Sequence, residues 1–96
     1  MHFLVFYDVV DDYIERRAAF REEHLKLIRQ AYERGELVLG GALTEPADGA
    51  VIVFRGPTAA AAEAFIKADP YVANGLVKAW RIRKWNTVIG DGASVV

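Results

Sequence analysis

Ala18-Ala-Phe-Arg-Glu-Glu-His-Leu-Lys-Leu-Ile28 decides how the rest of the chain is read. At 100° per residue, this stretch and its flanks, Tyr13 to Arg34, sort into two arcs of one helix. Glu15, Arg16, Glu22, Glu23, Lys26, Arg29, Gln30, Glu33 and Arg34 fall on one side. Tyr13, Ile14, Ala18, Phe20, Leu25, Leu27, Ile28, Ala31 and Tyr32 fall on the other. Arg17, Arg21 and His24 break the sorting, because all three lie inside the apolar arc. Their spacing makes them neighbours along the helix. Burying two guanidinium groups and an imidazole costs several kcal/mol unless partners are present. That cost marks this face as the first place for a site.

Upstream, His2 to Val10 is rich in Phe, Val and Tyr and apolar on both alternating sides, which is a strand buried on both faces. Asp11 or Asp12 is placed to cap the helix, and Gly35 to stop it. Leu37 to Leu43 is a second strand, broken by Gly40-Gly41, where a backbone bends or something approaches it closely. Glu45 to Gly49 is a turn, and Ala50 to Arg55 a third strand, again apolar on both sides. Thr58 reads as the N-cap of an alanine-rich helix, Ala59 to Ala68. Pro70 ends that helix and opens a short one capped by Asp69 and closed by Gly75. Val77 to Trp85 is the fourth strand.

The order strand, helix, strand, strand, helix, strand is the split βαβ arrangement of ferredoxin-like α+β folds. It predicts a four-stranded antiparallel sheet with two helices on one face. Two helices cover one face only, yet strands one and three are apolar on both. A homodimer packed through its sheet faces is the expected way to hide the other face. Residues 1–89 are expected to form the single domain. Residues 90–96 form a C-terminal tail, either loose or docked as an arm on a neighbour.

With 12 basic and 13 acidic residues the net charge is -1, which argues against nucleic acid or an anionic membrane as main partner. No strand carries the exposed aromatic and basic pattern of the RNA-binding members of this fold. The absence of cysteine excludes disulfides, thiolate catalysis and cysteine-ligated metals. Phe3 to Tyr7 is too short to span a bilayer and lacks the basic start of a signal peptide. A soluble cytoplasmic protein is the expectation.

Of two histidines, His2 reads as incidental and His24 as the candidate acid or base. The bland alternative for His24 is a buried imidazole bonded to a carbonyl. A carboxylate on its second nitrogen would hold its tautomer. Asp8 and Asp69 are the best placed by topology, although Asp69 is a plausible cap in any case. Arg17 and Arg21 either snorkel from the edge of the apolar stripe or clamp an anionic group such as a carboxylate or phenolate. Tyr7, Tyr71 and Trp85 are candidates to line an aromatic pocket, as Gly41 is for close approach, with plain core packing as the alternative. No metal site and no cofactor are expected, since one internal histidine lacks a carboxylate cluster and Gly40-Gly41 is too short for a nucleotide loop.

Arg21-Glu-Glu-His24-Leu25, Gly35-Glu-Leu-Val-Leu-Gly-Gly41, Ala68-Asp-Pro-Tyr71 with Gly75, and Arg83-Lys-Trp85, in this order and spacing, resemble the YciI-like (YCII-related) family. The match covers about residues 1–89. Glu23 departs from the family, which often has a small residue after a proline there, and it lies on the solvent arc. The resemblance implies a ferredoxin-like chain that dimerises through its sheets, as in the dimeric α/β barrel superfamily. It also implies a His and Asp pair in a cleft, matching His24 and Asp69. One branch of the family removes chloride from a hydroxylated ring with that pair, and the superfamily also resembles muconolactone isomerases.

Residues and resemblance together lead to a small cofactor-independent enzyme acting by acid–base chemistry on a small anionic metabolite, aromatic or lactone. His24 would move the proton, Asp69 would hold its tautomer, and Arg21 with Arg17 would neutralise charge on a substrate oxygen. Two alternatives stay open: a dimer that binds the metabolite without turning it over, and a structural or regulatory dimer.

Overall fold

The computed structural model of the chain describes residues 1–94; residues 95 and 96 of the expected tail lie outside the described part. Its elements in chain order are β1 His2–Val9, α1 Tyr13–Arg16, a 3-10 turn Arg17–Ala19, α2 Arg21–Glu33, β2 Leu37–Ala42, β3 Gly49–Arg55, α3 Ala60–Ala68, α4 Pro70–Ala73 and β4 Val77–Trp85. The strands form one sheet in the order β2-β3-β1-β4, every pair antiparallel. The two strands that are apolar on both sides, β1 and β3, take the two central places. This is the ferredoxin-like α+β arrangement expected from the pattern of elements.

Alternation along the strands builds one core. Phe3, Val5, Tyr7 and Val9 of β1, with Ile52 and Phe54 of β3, are buried on the helix side of the sheet. There they pack with Tyr13, with Ala31 of α2, and with Ala62, Phe65 and Ile66 of α3. The other parity, Leu4, Phe6, Val51 and Val53, lies on the face that carries no helix and is only half-buried. Leu39 on that face is 71 % exposed. None of the described helices is long and apolar enough to cross a membrane.

The first helical stretch differs from expectation. Instead of one helix from Tyr13 to Arg34, a turn of α1 tightens into the 3-10 turn, and Phe20 at φ -120° and ψ -2° separates it from α2. Neither Asp12 nor Phe20 supplies a side-chain cap. Asp12 instead lies 3.8 Å from Arg16 in an exposed ion pair of small worth. At the far end Gly35 has φ +79° and donates to the Tyr32 carbonyl, a left-handed stop that suits glycine. Thr58 acts one residue earlier than a cap: its hydroxyl accepts from the Ala60 amide at 3.2 Å, ahead of a helix whose N-cap is Ala59.

Past β4 the chain turns back on its own sheet. Ser94 donates its amide to Thr87 Oγ1 at 2.8 Å, and both hydroxyls lie within 3.0 Å of His2 Nδ1. His2 is therefore buried beneath residues 87–94 on the face opposite the helices.

Candidate active site

Asp69-Pro70-Tyr71 is the hinge of the site. Pro70 opens α4, Asp69 precedes it with φ -70° and ψ 118°, and its Oδ1 accepts from the Tyr71 amide at 3.0 Å. That cap turns the carboxylate inward, where it is 0 % exposed. Across from it, the first turn of α2 delivers His24, 9 % exposed. His24 Nδ1 donates to Asp69 Oδ1 at 2.8 Å. Because the carboxylate only accepts, the proton on the ring belongs on Nδ1, which leaves Nε2 as a base. Nε2 makes no hydrogen bond among the described residues, and the ring lies on a cavity wall.

The other carboxylate oxygen is held from the sheet. Tyr7 on β1 donates its phenol to Asp69 Oδ2 at 2.8 Å. Burial first, and then the adjacent Asp69 charge, push the Tyr7 phenol well above its ordinary pKa, so it remains a neutral donor. Three donors thus converge on one buried carboxylate, which satisfies it and fixes its orientation.

The imidazole is also gripped by rings. Tyr71 stacks on it with centroids 3.8 Å apart and planes 9° from parallel, and Phe65 meets it edge-on at 6.3 Å. Together the two contacts fix the plane of the imidazole.

Beside His24 lies a cavity of about 280 Å³. At water's share of roughly 30 Å³ this is room for about ten non-hydrogen atoms, a single ring with substituents. Arg17, Arg21, Leu25 and Ile28 line the helix side, with Tyr7, Ala50, Ile52 and the Gly40-Gly41-Ala42 stretch on the sheet side. Tyr13 and Tyr71 complete the wall, and Arg17 lies over the Tyr13 ring at 5.3 Å.

Of the residues singled out in the sequence, His24, Asp69, Arg17, Arg21, Tyr7, Gly41 and Tyr71 come together here. Trp85 does not. It lies beside His2, ring centroids 6.4 Å apart, and lines a separate hollow with Thr87 and Ile89. The register explains this: Trp85 pairs with His2 while Trp80 pairs with Tyr7, and five residues of strand reverse the face. Asp8 is exposed and has the parity of the outer face, so Asp69 is the carboxylate that reaches His24. Tyr13 and Phe65 join the site without having stood out in the sequence, and Gly40, marked there with Gly41 as a place of close approach, joins it as well. Gly40 pairs with Ile52, and a side chain there would meet Ile52 Cγ2 at 3.4 Å on the cavity side. Gly41 faces the other way, and a Cβ added to it would meet nothing within 4 Å.

A family model for the YCII-related domain matches residues 1–86. The chain belongs to the YCII-related family. This YCII-related chain is also similar in structure to 5-chloro-2-hydroxyhydroquinone dehydrochlorinase of Burkholderia phenoliruptrix, solved as a complex with 2,5-dihydroxybenzoquinone. The TM-score is 0.76 over 98 % of this chain and 100 % of that one, at 17 % sequence identity, a likeness of fold. No curated protein sequence matches the chain.

Proposed function

We propose that this protein is a cofactor-independent enzyme that moves a proton on a small anionic ring compound, in an isomerisation or an elimination. The observation that carries this reading is the 2.8 Å bond from His24 Nδ1 to a fully buried, triply held Asp69, beside a cavity the imidazole faces. A purely structural histidine has no need of an anion oriented from three sides. Nε2 takes a proton from substrate carbon or oxygen, and the carboxylate stabilises the imidazolium that results without itself being protonated. In an elimination the electron pair left behind forms the new double bond and expels the leaving group. In an isomerisation Nε2 returns the proton at another position. Arg21 and Arg17 supply positive charge on the helix side of the cavity, beside His24, where negative charge grows on a substrate oxygen. The dehydrochlorinase with a similar fold acts on a chlorinated hydroxylated ring, which supports aromatic or lactone substrates as the first to try.

Two further parts belong to this proposal. The exposed apolar face around Leu39, Val51 and Val53 pairs with the same face of a second copy, giving a homodimer. The protein works in the cytoplasm.

The test is turnover of a panel of halogenated hydroxyquinols and lactones, with pH-rate profiles of wild type and His24→Ala. Loss of turnover by about 10²-fold or more in His24→Ala is expected for a lost general base. Equal binding by both proteins, with turnover by neither, would replace the enzyme with a metabolite-binding module.

A further inference from the structure

We propose that the Tyr71 hydroxyl is a substrate-binding group: a neutral hydrogen-bond donor for an anionic oxygen on the cavity's occupant, working beside Arg17 and Arg21. This inference rests on reading the cavity as a substrate site, and it adds how that site selects its ligand.

Among the described residues, Tyr71 Oη is the one buried side-chain nitrogen or oxygen without a hydrogen-bond partner. The residue is 2 % exposed. Buried hydroxyls are nearly always paired, and phenylalanine would fill the same space with no polar atom to satisfy. The ring cannot swing away to find a partner. Its face is stacked on His24, the Tyr13 ring meets it at 5.7 Å and 90°, and its amide is bonded to Asp69. The hydroxyl is therefore held buried and unpaired, on a residue that lines the cavity whose charged lining is two guanidinium groups.

The chemistry of that lining names the class of ligand. Arg17 and Arg21 draw an anion. A hydroxyl on a clamped ring adds the fixed line of approach that two long side chains lack. Burial, with Tyr13 and Asp69, raises the phenol's pKa against the opposing pull of Arg21 and Arg17. The group therefore keeps its proton near neutral pH and donates. The fitting occupant is a single-ring carboxylate, phenolate or enolate whose anionic oxygen takes this bond. A ring of the same size without that oxygen leaves the hydroxyl unpaired and is rejected.

The experiment compares wild type with Tyr71→Phe in the full chain. It uses thermal melting without ligand and titration with 2,5-dihydroxybenzoquinone, a ring whose oxygens ionise. Without ligand, Tyr71→Phe is expected to melt at the same temperature or higher, because an unpaired buried hydroxyl has gone. Its Kd for the quinone is expected to weaken by about ten-fold or more. A merely structural tyrosine cannot give these two opposite effects. A lower ligand-free melting temperature would overturn the proposal, since the hydroxyl would then have a partner in the fold. So would an unchanged Kd, or a wild type that does not bind the quinone. If turnover vanishes in His24→Ala while Tyr71→Phe binds as wild type, the acid–base reading stands and this inference alone falls.

Discussion

Asp69→Asn separates what the carboxylate's shape does from what its charge does. Oδ1 accepts from His24 Nδ1 at 2.8 Å and from the Tyr71 amide at 3.0 Å, and Oδ2 accepts from the Tyr7 phenol at 2.8 Å. Asparagine keeps the volume but must place one oxygen and one amino group. The Tyr71 amide is a backbone donor set by the α4 turn, so it requires an oxygen at the Oδ1 position. The amino group is thereby sent toward Tyr7, whose hydroxyl rotates and accepts. His24 keeps an oxygen at Nδ1 and keeps its tautomer. Folding exchanges charge-assisted bonds for neutral ones but no longer buries a charge, so stability stays within about 1 kcal/mol of wild type. Turnover is hit harder, because an imidazolium would form with no anion beside it. At an effective dielectric near 20 that attraction is about 4 kcal/mol, or about 10³-fold in rate. Asp69→Ala instead strands three donors at about 1 to 3 kcal/mol each. Less the relief of a buried charge, about 3 kcal/mol is lost, a fall of roughly 12–24 °C in melting temperature. Urea unfolding, ¹⁵N NMR of the His24 ring and turnover measure the three quantities. Equal destabilisation by both substitutions, or an Nε2–H tautomer in the wild type, would refute the reasoning.

Tyr7→Phe leaves Asp69 Oδ2 buried without its donor and should lower stability by about 1.5 to 3 kcal/mol in urea unfolding. It should also flatten the alkaline limb of stability. The Tyr7 phenol is raised above its unfolded value near 10, so its contribution is whole below that pH and drains away as pH rises further, as melting against pH would show. Gly40→Leu, with Ile52 at 3.4 Å from its Cβ and the cavity beyond, should leave stability within about 1 kcal/mol of wild type and abolish quinone binding in titration. Val53→Glu places a charge in the centre of the uncovered sheet face and should convert a dimer to monomers in light scattering; an unchanged mass would remove that face from the interface.

The architecture was legible because each element announced its period. β1 and β3 are apolar on both alternating sides, and they are the two strands that take the middle of the sheet. The break at Phe20 had no such signal, because no glycine or proline stands there. Arg17, Arg21 and His24 still share the cavity, because the break tightens the turn without moving its apolar side off the core. Trp85 was misplaced by type rather than by pattern, since an aromatic at a strand end reads as pocket lining until its register with His2 is known. Gly40 and Gly41 both border the cavity, and the pairing skips a residue between Leu37 and Leu39. That bulge reverses the parity and gives the cavity side to Gly40.

Asp69 shows why the bland and the functional readings of a residue need not compete. As a cap it had a sufficient structural explanation, and that explanation holds: its Oδ1 accepts from the Tyr71 amide. The same Oδ1 receives His24. A cap needs an oxygen pointing back along the chain at the start of a helix, and an orienting carboxylate needs an oxygen fixed against rotation. One bond from the Tyr71 amide meets both needs. It also carries the Tyr71 ring to the face of the imidazole, so the tripeptide Asp69-Pro70-Tyr71 grips His24 at its edge and on its plane. Shifting that turn by even one residue would move the anion and the ring together. The chemistry is therefore tied to the position of Pro70, a residue that touches neither the proton nor the cavity.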